Sequence, residues 1–236
     1  MARADEIAAG IGSGRVTNPD QSEVLRQRLW DYQILPGAGI QQLSFFSLPQ
    51  GQGVTSALGA AVGSGKTIFD TNMQMPNTLP SGKAYKVDSI EVYFWPGLSA
   101  AANTYTAFNP SNFAAAAAAS VGAAANDVYT FYSSGILEFG VLDKLYVQEA
   151  PLGCFPPQTG VSLDAALTSN SATVGETALF VPRAAGRPYI MTVDLSLLPA
   201  QNFYINLRWP AAVALPSGFN ARVGVVLDGH LMRASQ

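Results

Sequence analysis

The feature that most restricts this chain's fold is a succession of short β-prone runs, each cut off by proline or glycine. Tyr85–Phe94 is the best of them. Tyr85, Val87, Ser89, Glu91 and Tyr93 lie on one side, Lys86, Asp88, Ile90, Val92 and Phe94 on the other, and Trp95-Pro96-Gly97 ends the run. Gln41–Leu48, Ile68–Met75, Val128–Tyr132, Ile136–Phe139, Lys144–Glu149, Leu179–Val181, Tyr189–Asp194, Phe203–Trp209 and Arg222–Leu227 are further strand candidates. Between them stand turn signals such as Leu79-Pro80-Ser81-Gly82, Ser133-Ser134-Gly135, Arg187-Pro188 and Pro216-Ser217-Gly218. No βαβ rhythm and no internal repeat interrupts the series, which excludes doubly wound, propeller and solenoid folds. The expectation is all-β: an antiparallel sandwich of jelly-roll type, eight strands in two sheets with long connections. Two jelly rolls would need about 16 strands, so one is expected.

Three segments stand outside the strands. Residues 1–33 read as an N-terminal arm that docks on its own domain or on a neighbour, with residues 34–236 as the single sandwich domain. Gly10, Gly12 and Gly14 loosen the arm, and Ser22 is placed to cap a short helix to about Tyr32, with Val24, Leu25, Leu29 and Trp30 as its apolar stripe. Val54–Lys66, rich in glycine, reads as a mobile loop. Residues 98–126 read as an insertion in which Asn112 caps an alanine helix. Lacking large side chains, that helix is expected over a sheet edge or at a subunit contact; a loosely ordered loop is the alternative.

Charge narrows the function classes. Only 12% of the 236 residues are charged, against about 25% in an ordinary soluble domain. The 13 basic and 16 acidic residues form no basic block, and the arm holds four Arg against five acids, so direct condensation of nucleic acid is not expected. Residues 34–65 and 98–126 hold no charge at all. A surface that poor in charge suits burial against other subunits, so these two stretches are the expected contacts. The acids in Met1–Glu6 argue against a secretory leader. Phe113–Ala125 is too short for the roughly 20 apolar residues of a membrane span, so no transmembrane insertion is expected.

Chemistry-bearing patterns are few. Ala60–Thr67 fits a permissive phosphate-loop pattern, with Lys66 for phosphate, Thr67 for magnesium and Val223–Asp228 as a distant acidic strand. Its surroundings do not: a poor strand precedes it, and Ile68–Pro76 cannot be the long helix such a site requires. Asp70-Thr71-Asn72 groups three oxygen side chains but lacks calcium-loop spacing, and a turn at a strand end is the plainer reading. Glu138, Asp143 and Glu149 are close enough in sequence to pair as glycosidase carboxylates, yet nothing marks a cleft. Trp95, Trp209, Phe45-Phe46, Tyr129–Tyr132 and Phe203-Tyr204 would suit a sugar platform, although aromatics in β runs more often build cores. One cysteine, Cys154, excludes an internal disulfide, and one histidine, His230, excludes a histidine metal cluster. Cys154 reads as a packed small side chain and His230 as a surface tail residue. No catalytic, cofactor or metal residues are therefore assigned, and no enzymatic activity is expected.

Several longer segments carry a resemblance. Ser44–Gly53, Lys66–Met73, Leu79–Val92, Ser134–Tyr146, Ala150–Pro157, Asn202–Pro210 and Arg222–Gly229 together resemble virion structural proteins of bacteriophages built on jelly-roll sandwiches, over residues 40–230. The resemblance implies an icosahedral capsid protein that is assembled in a bacterial cytoplasm and resides in the virion. Its partners would be copies of itself and other capsid proteins, over an internal membrane or an underlying shell. Both a main coat subunit and a decoration or cement protein fit. A glycan-binding β-sandwich, as in a spike or lectin, is the alternative from another class.

Overall fold

A computed structural model describes residues 23–61, 63–108, 119–158, 160–170, 173–183 and 187–233. The chain is all-β, with two four-stranded antiparallel sheets facing each other across an apolar core. One sheet has the order β1 (Glu23–Leu35), β10 (Ala221–Arg233), β3 (Lys83–Trp95), β8 (Tyr189–Leu197). The other has the order β2 (Gln42–Phe45), β9 (Phe203–Arg208), β4 (Ile136–Val141), β5 (Lys144–Pro151). A separate hairpin, β6 (Gly160–Asn170) and β7 (Thr173–Arg183), interrupts the connection from β5 to β8. A helix, α1 (Ala119–Ser134), stands between β3 and β4.

The core follows from strand alternation. Leu29 and Leu35 of β1, Val223, Val225 and Leu227 of β10, and Ile90 and Val92 of β3 face Leu43 and Phe45 of β2, Ile205 and Leu207 of β9, and Leu137 and Phe139 of β4; all are buried. Each such side chain contributes about 1.5–3 kcal/mol through removal from water. In β3 the alternation is not continuous. A bulge beside Asp88 shifts the register against β10 and β8. Tyr85 and Val87 before it, and Ile90 and Val92 after it, therefore all enter the core, which the uninterrupted two-sided reading does not give. Gly229 permits the bulge: a Cβ there would lie 1.9 Å from the Lys86 carbonyl oxygen.

Several local expectations are corrected. The helix expected from Ser22 to Tyr32 is strand β1, which crosses the arm boundary expected at residue 33 and pairs along its full length with β10. Thirteen residues of antiparallel pairing override a local stripe of helical spacing. The rest of the arm, residues 1–22, lies outside the described residues. Val128–Tyr132, expected as a strand, is the second half of α1. Val128, Phe131 and Tyr132 recur at helical spacing and turn inward, so the helix does anchor in the core. The capping position Asn112 and the start of the alanine run lie outside the described residues. Ile68–Met75 forms no strand; it touches its neighbours through isolated bridges, Asp31 to Thr71 and Met75 to Thr78. Cys154 is exposed, not packed. His230 belongs to β10, with Nδ1 2.8 Å from Asp88 Oδ2.

Candidate functional site

The long β2–β3 connection, residues 46–82, builds an extended polar arrangement around two buried carboxylates. Its glycines begin as a ladder: Gly51 N–H donates to the Lys66 carbonyl at 2.8 Å, Lys66 N–H to Gln52 at 2.9 Å, and Thr55 N–H to Ser64 at 2.8 Å. Two buried carboxylates then fix it to the sheet. Asp31, on the core side of β1, receives Lys66 Nζ at 2.6 Å on Oδ1 and the Phe46 N–H at 2.7 Å on Oδ2. Both side chains of the ion pair are buried. Burial pushes the Asp31 carboxyl upward, and the Lys66 ammonium pulls against it. Phe46 holds a left-handed backbone at φ 64°, an arrangement costing about 1–3 kcal/mol that its buried ring and its bond to Asp31 sustain.

Asp70 is the second anchor. Its carboxylate accepts from the Thr55 hydroxyl at 2.7 Å, from Ser56 N–H at 2.8 Å and hydroxyl at 2.7 Å, and from Thr67 N–H at 3.0 Å. Arg222 of β10 lies 3.8 Å away, stacks 4.1 Å over the Tyr32 ring and donates to the Phe69 carbonyl at 2.7 Å. The Trp30 indole N–H donates to the Ile68 carbonyl at 3.1 Å. Ile68 and Phe69 are thus held by their backbone while their side chains point to solvent, 50% and 73% exposed.

Burial opposes ionisation of Asp70, but the Thr67 N–H and the Thr55 and Ser56 groups outweigh it and hold the carboxyl below its ordinary value. Asp228 is likewise depressed: burial opposes, and Arg26, at 2.8 Å, prevails. A carboxyl depressed in the folded state contributes stability that is complete above the unfolded value of about 3.9 and is lost as pH falls through the folded one. Asp70→Asn should therefore unfold more easily than the parent at neutral pH, by on the order of 1–3 kcal/mol. Urea titrations should show the gap narrowing below pH about 4. A gap unchanged down to pH about 2 would contradict this linkage.

The sequence candidates are redistributed by this geometry. Lys66 is spent on Asp31 and Thr67 on Asp70, and no helix follows them, so Ala60–Thr67 is not a phosphate loop. In the stretch expected to be a mobile loop, the described bonds join Gly51, Gln52 and Thr55 to Ser64 and Lys66, and Ser56 to Asp70. Asp70 serves as a hub for hydroxyl and amide donors. Among the described residues no group of three or more His, Cys, Asp or Glu is placed to hold a metal. Glu138 pairs with Arg208 at 2.5 Å, Asp143 sits in the β4–β5 turn and Glu149 stands exposed on β5. The aromatic candidates are dispersed: Phe45, Phe46, Phe131, Phe203 and Trp209 are buried, while Tyr129 alone points fully outward, from α1. Among the described residues no helix is long and apolar enough to cross a membrane.

What remains for recognition is surface. From Ile34 to Gly82 the only charged residues are Lys66 and Asp70, both buried. Residues 34–82 therefore expose no formal charge, while Arg26 and Arg28 of β1 and Arg208 of β9 stand exposed beside them. No family model, curated protein or solved structure matches the chain. The opposite flank ends in β5 and β8, brought together where Phe155 packs on Tyr189 at 4.8 Å. Leu145 and Tyr146 near the start of β5 and Ile190 and Val193 of β8 are exposed, and so are Asp143, Lys144 and Glu149 of the β4–β5 hairpin. Sequence reasoning selects residues 34–65 for their lack of charge. The Asp31–Lys66 pair, 35 residues apart, and the displayed Ile68-Phe69 turn have no comparable signal.

Proposed function

We propose that this chain is a coat subunit of a bacteriophage capsid, built on one jelly roll and working by shape and burial. The observation that carries this reading is the strand order. With the β6–β7 hairpin set aside, the eight remaining strands fall into the sheets as first-eighth-third-sixth and second-seventh-fourth-fifth. That is the order of two nested Greek keys, an arrangement shared by viral capsid proteins and lectins. The absence of exposed charge over residues 34–82 favours the capsid side of that choice. A sugar platform would need several aromatic faces in one place, and the candidates here are mostly in the core. In this reading the chain meets copies of itself, with a membrane or an inner shell as a neighbour.

The test is direct. The expressed full chain, followed by size-exclusion chromatography and negative-stain microscopy, should give rings or closed shells. Trimers that bind only to preformed shells would assign a decoration role instead. A protein that stays monomeric at all concentrations and binds glycan arrays would overturn the capsid reading.

A further inference from the structure

We infer that Asp127 is a proton-operated latch on α1: its neutral carboxyl holds the helix to the Pro216–Gly218 turn, and ionisation loosens that contact. Among the described residues the buried acids are Asp31, Asp70, Glu91, Asp127, Glu138 and Asp228. Each of the others has a lysine or arginine nitrogen within 4.0 Å, and Asp127 has none. Its Oδ1 accepts the Ser217 N–H at 2.9 Å, while its Oδ2, closed off from solvent, has no hydrogen-bond partner. A carboxylate there has lost its hydration, and Ser217 alone stands in for it. A neutral carboxyl brings no charge into the same space. Burial therefore favours the protonated form and pushes the Asp127 carboxyl upward, against the pull of Ser217.

The surroundings supply no counter-charge. Asp127 is the only charged residue of α1, and residues 95–126 and 209–221 hold none. The titratable groups on the elements that α1 touches are engaged or turned away. Tyr132 donates to the Val92 carbonyl at 2.8 Å, and Tyr129 and Cys154 face solvent. Glu91 of β3 accepts from Tyr93 and Gln158, and Lys144, Tyr146 and Glu149 of β5 are exposed. Beyond the turn, the Tyr105 hydroxyl lies 3.3 Å from the Pro96 carbonyl. The turn that Asp127 holds is a junction. Leu215 N–H donates to the Gly37 carbonyl at 2.8 Å, Gly37 N–H to Asn220 Oδ1 at 3.0 Å, and the Asn220 amide to the Ala101 and Thr104 carbonyls at 2.8 and 2.9 Å. Phe131, one helical turn beyond Asp127 on the same face, is buried in the core. Release at Asp127 thus opens the helix on the N-terminal side of Phe131 while that ring stays seated. A carboxyl raised in the folded state contributes stability that is complete below the unfolded value of about 3.9 and is lost as pH rises through the folded one. The latch is closed in acid and loosens toward alkaline pH.

Two measurements on the full chain test this. The side-chain carboxyl carbon of Asp127, followed by NMR and assigned through its backbone, should titrate above the range of an exposed aspartate. Asp127→Asn mimics the neutral carboxyl. Amide exchange at Ser217 should be about fivefold or more faster in the parent than in this variant at pH about 8, the scale of a buried group left unsatisfied. The two rates should converge toward pH about 4. A carboxyl that titrates at or below the ordinary aspartate value would overturn the latch, as would a ratio of Ser217 exchange rates that does not change with pH. Should Asp127→Asn fail to fold, the parent alone decides. Its Ser217 protection, corrected for intrinsic exchange and compared with that of Val225 in β10, must fall as pH rises through the Asp127 titration, and protection that holds would overturn the proposal.

Discussion

Lys66→Ala is expected to destabilise the fold by about 3–5 kcal/mol, among the largest effects of any single surface-loop residue in this chain. The loss does not measure the worth of the ion pair. It measures what is left behind: Asp31, buried, with its cation gone. The Phe46 N–H and the Thr71 hydroxyl still serve the carboxylate, but they cannot replace its hydration. The variant's escape is to protonate Asp31, which has lost the ammonium that opposed the effect of burial, so the deficit relative to the parent should shrink as pH is lowered. Replacing both partners, Asp31→Leu with Lys66→Met, should cost less than Lys66→Ala alone. Some penalty persists because the Phe46 N–H is orphaned, at about 1–3 kcal/mol. Chemical denaturation of the three proteins checks all of this. If Lys66→Ala lay within about 0.5 kcal/mol of the parent, the buried pair would be no anchor.

Phe131→Ala should cost about 3–5 kcal/mol. Its ring is buried and lies 4.6 Å from Phe94, 5.0 Å from Tyr132 and 5.9 Å from Trp209. It is the point where α1 enters the space between the sheets. Truncation removes the transfer energy of the ring and leaves a cavity whose walls belong to two strand ends and the helix, which cannot all close in. Tyr129, two residues away and 74% exposed, is the control. Tyr129→Ala should change stability by no more than about 0.5 kcal/mol. Equal effects at the two positions would mean that α1 does not dock through this face.

The sandwich was legible because its signal is local. Phe203–Trp209 alternates over its whole length and stops at Pro210, and Ile136–Phe139 stops at Gly140, so each can be read without its partner. The misread elements are those whose identity depends on distant contacts. β1 has Asp31 and Gln33 at core-side positions, which breaks the alternation, and only the pairing with β10 makes it a strand. Val128–Tyr132 is β-branched and aromatic, yet its helical spacing is what fits the core. In β3 the missing information was a single bulge, set by the glycine at position 229 in a strand more than 130 residues on. The clasp was invisible for a related reason. Lys66 and Asp70 were the only charges in a long neutral stretch, and the sequence does not say that both turn inward.

The stretch from Asp70 to Asn72 also has a bearing on folding. It lies along the free edge of β1, where Tyr32 N–H donates to the Asp70 carbonyl at 2.7 Å and Trp30 N–H to the Asn72 side chain at 3.1 Å. An uncovered strand of thirteen residues is a template for indiscriminate pairing. Until the loop docks, a newly made chain offers that edge to its neighbours, and aggregation competes with maturation. Loosening the contact of Asp70 and Asn72 with β1 is therefore expected to show as inclusion bodies at high expression temperature.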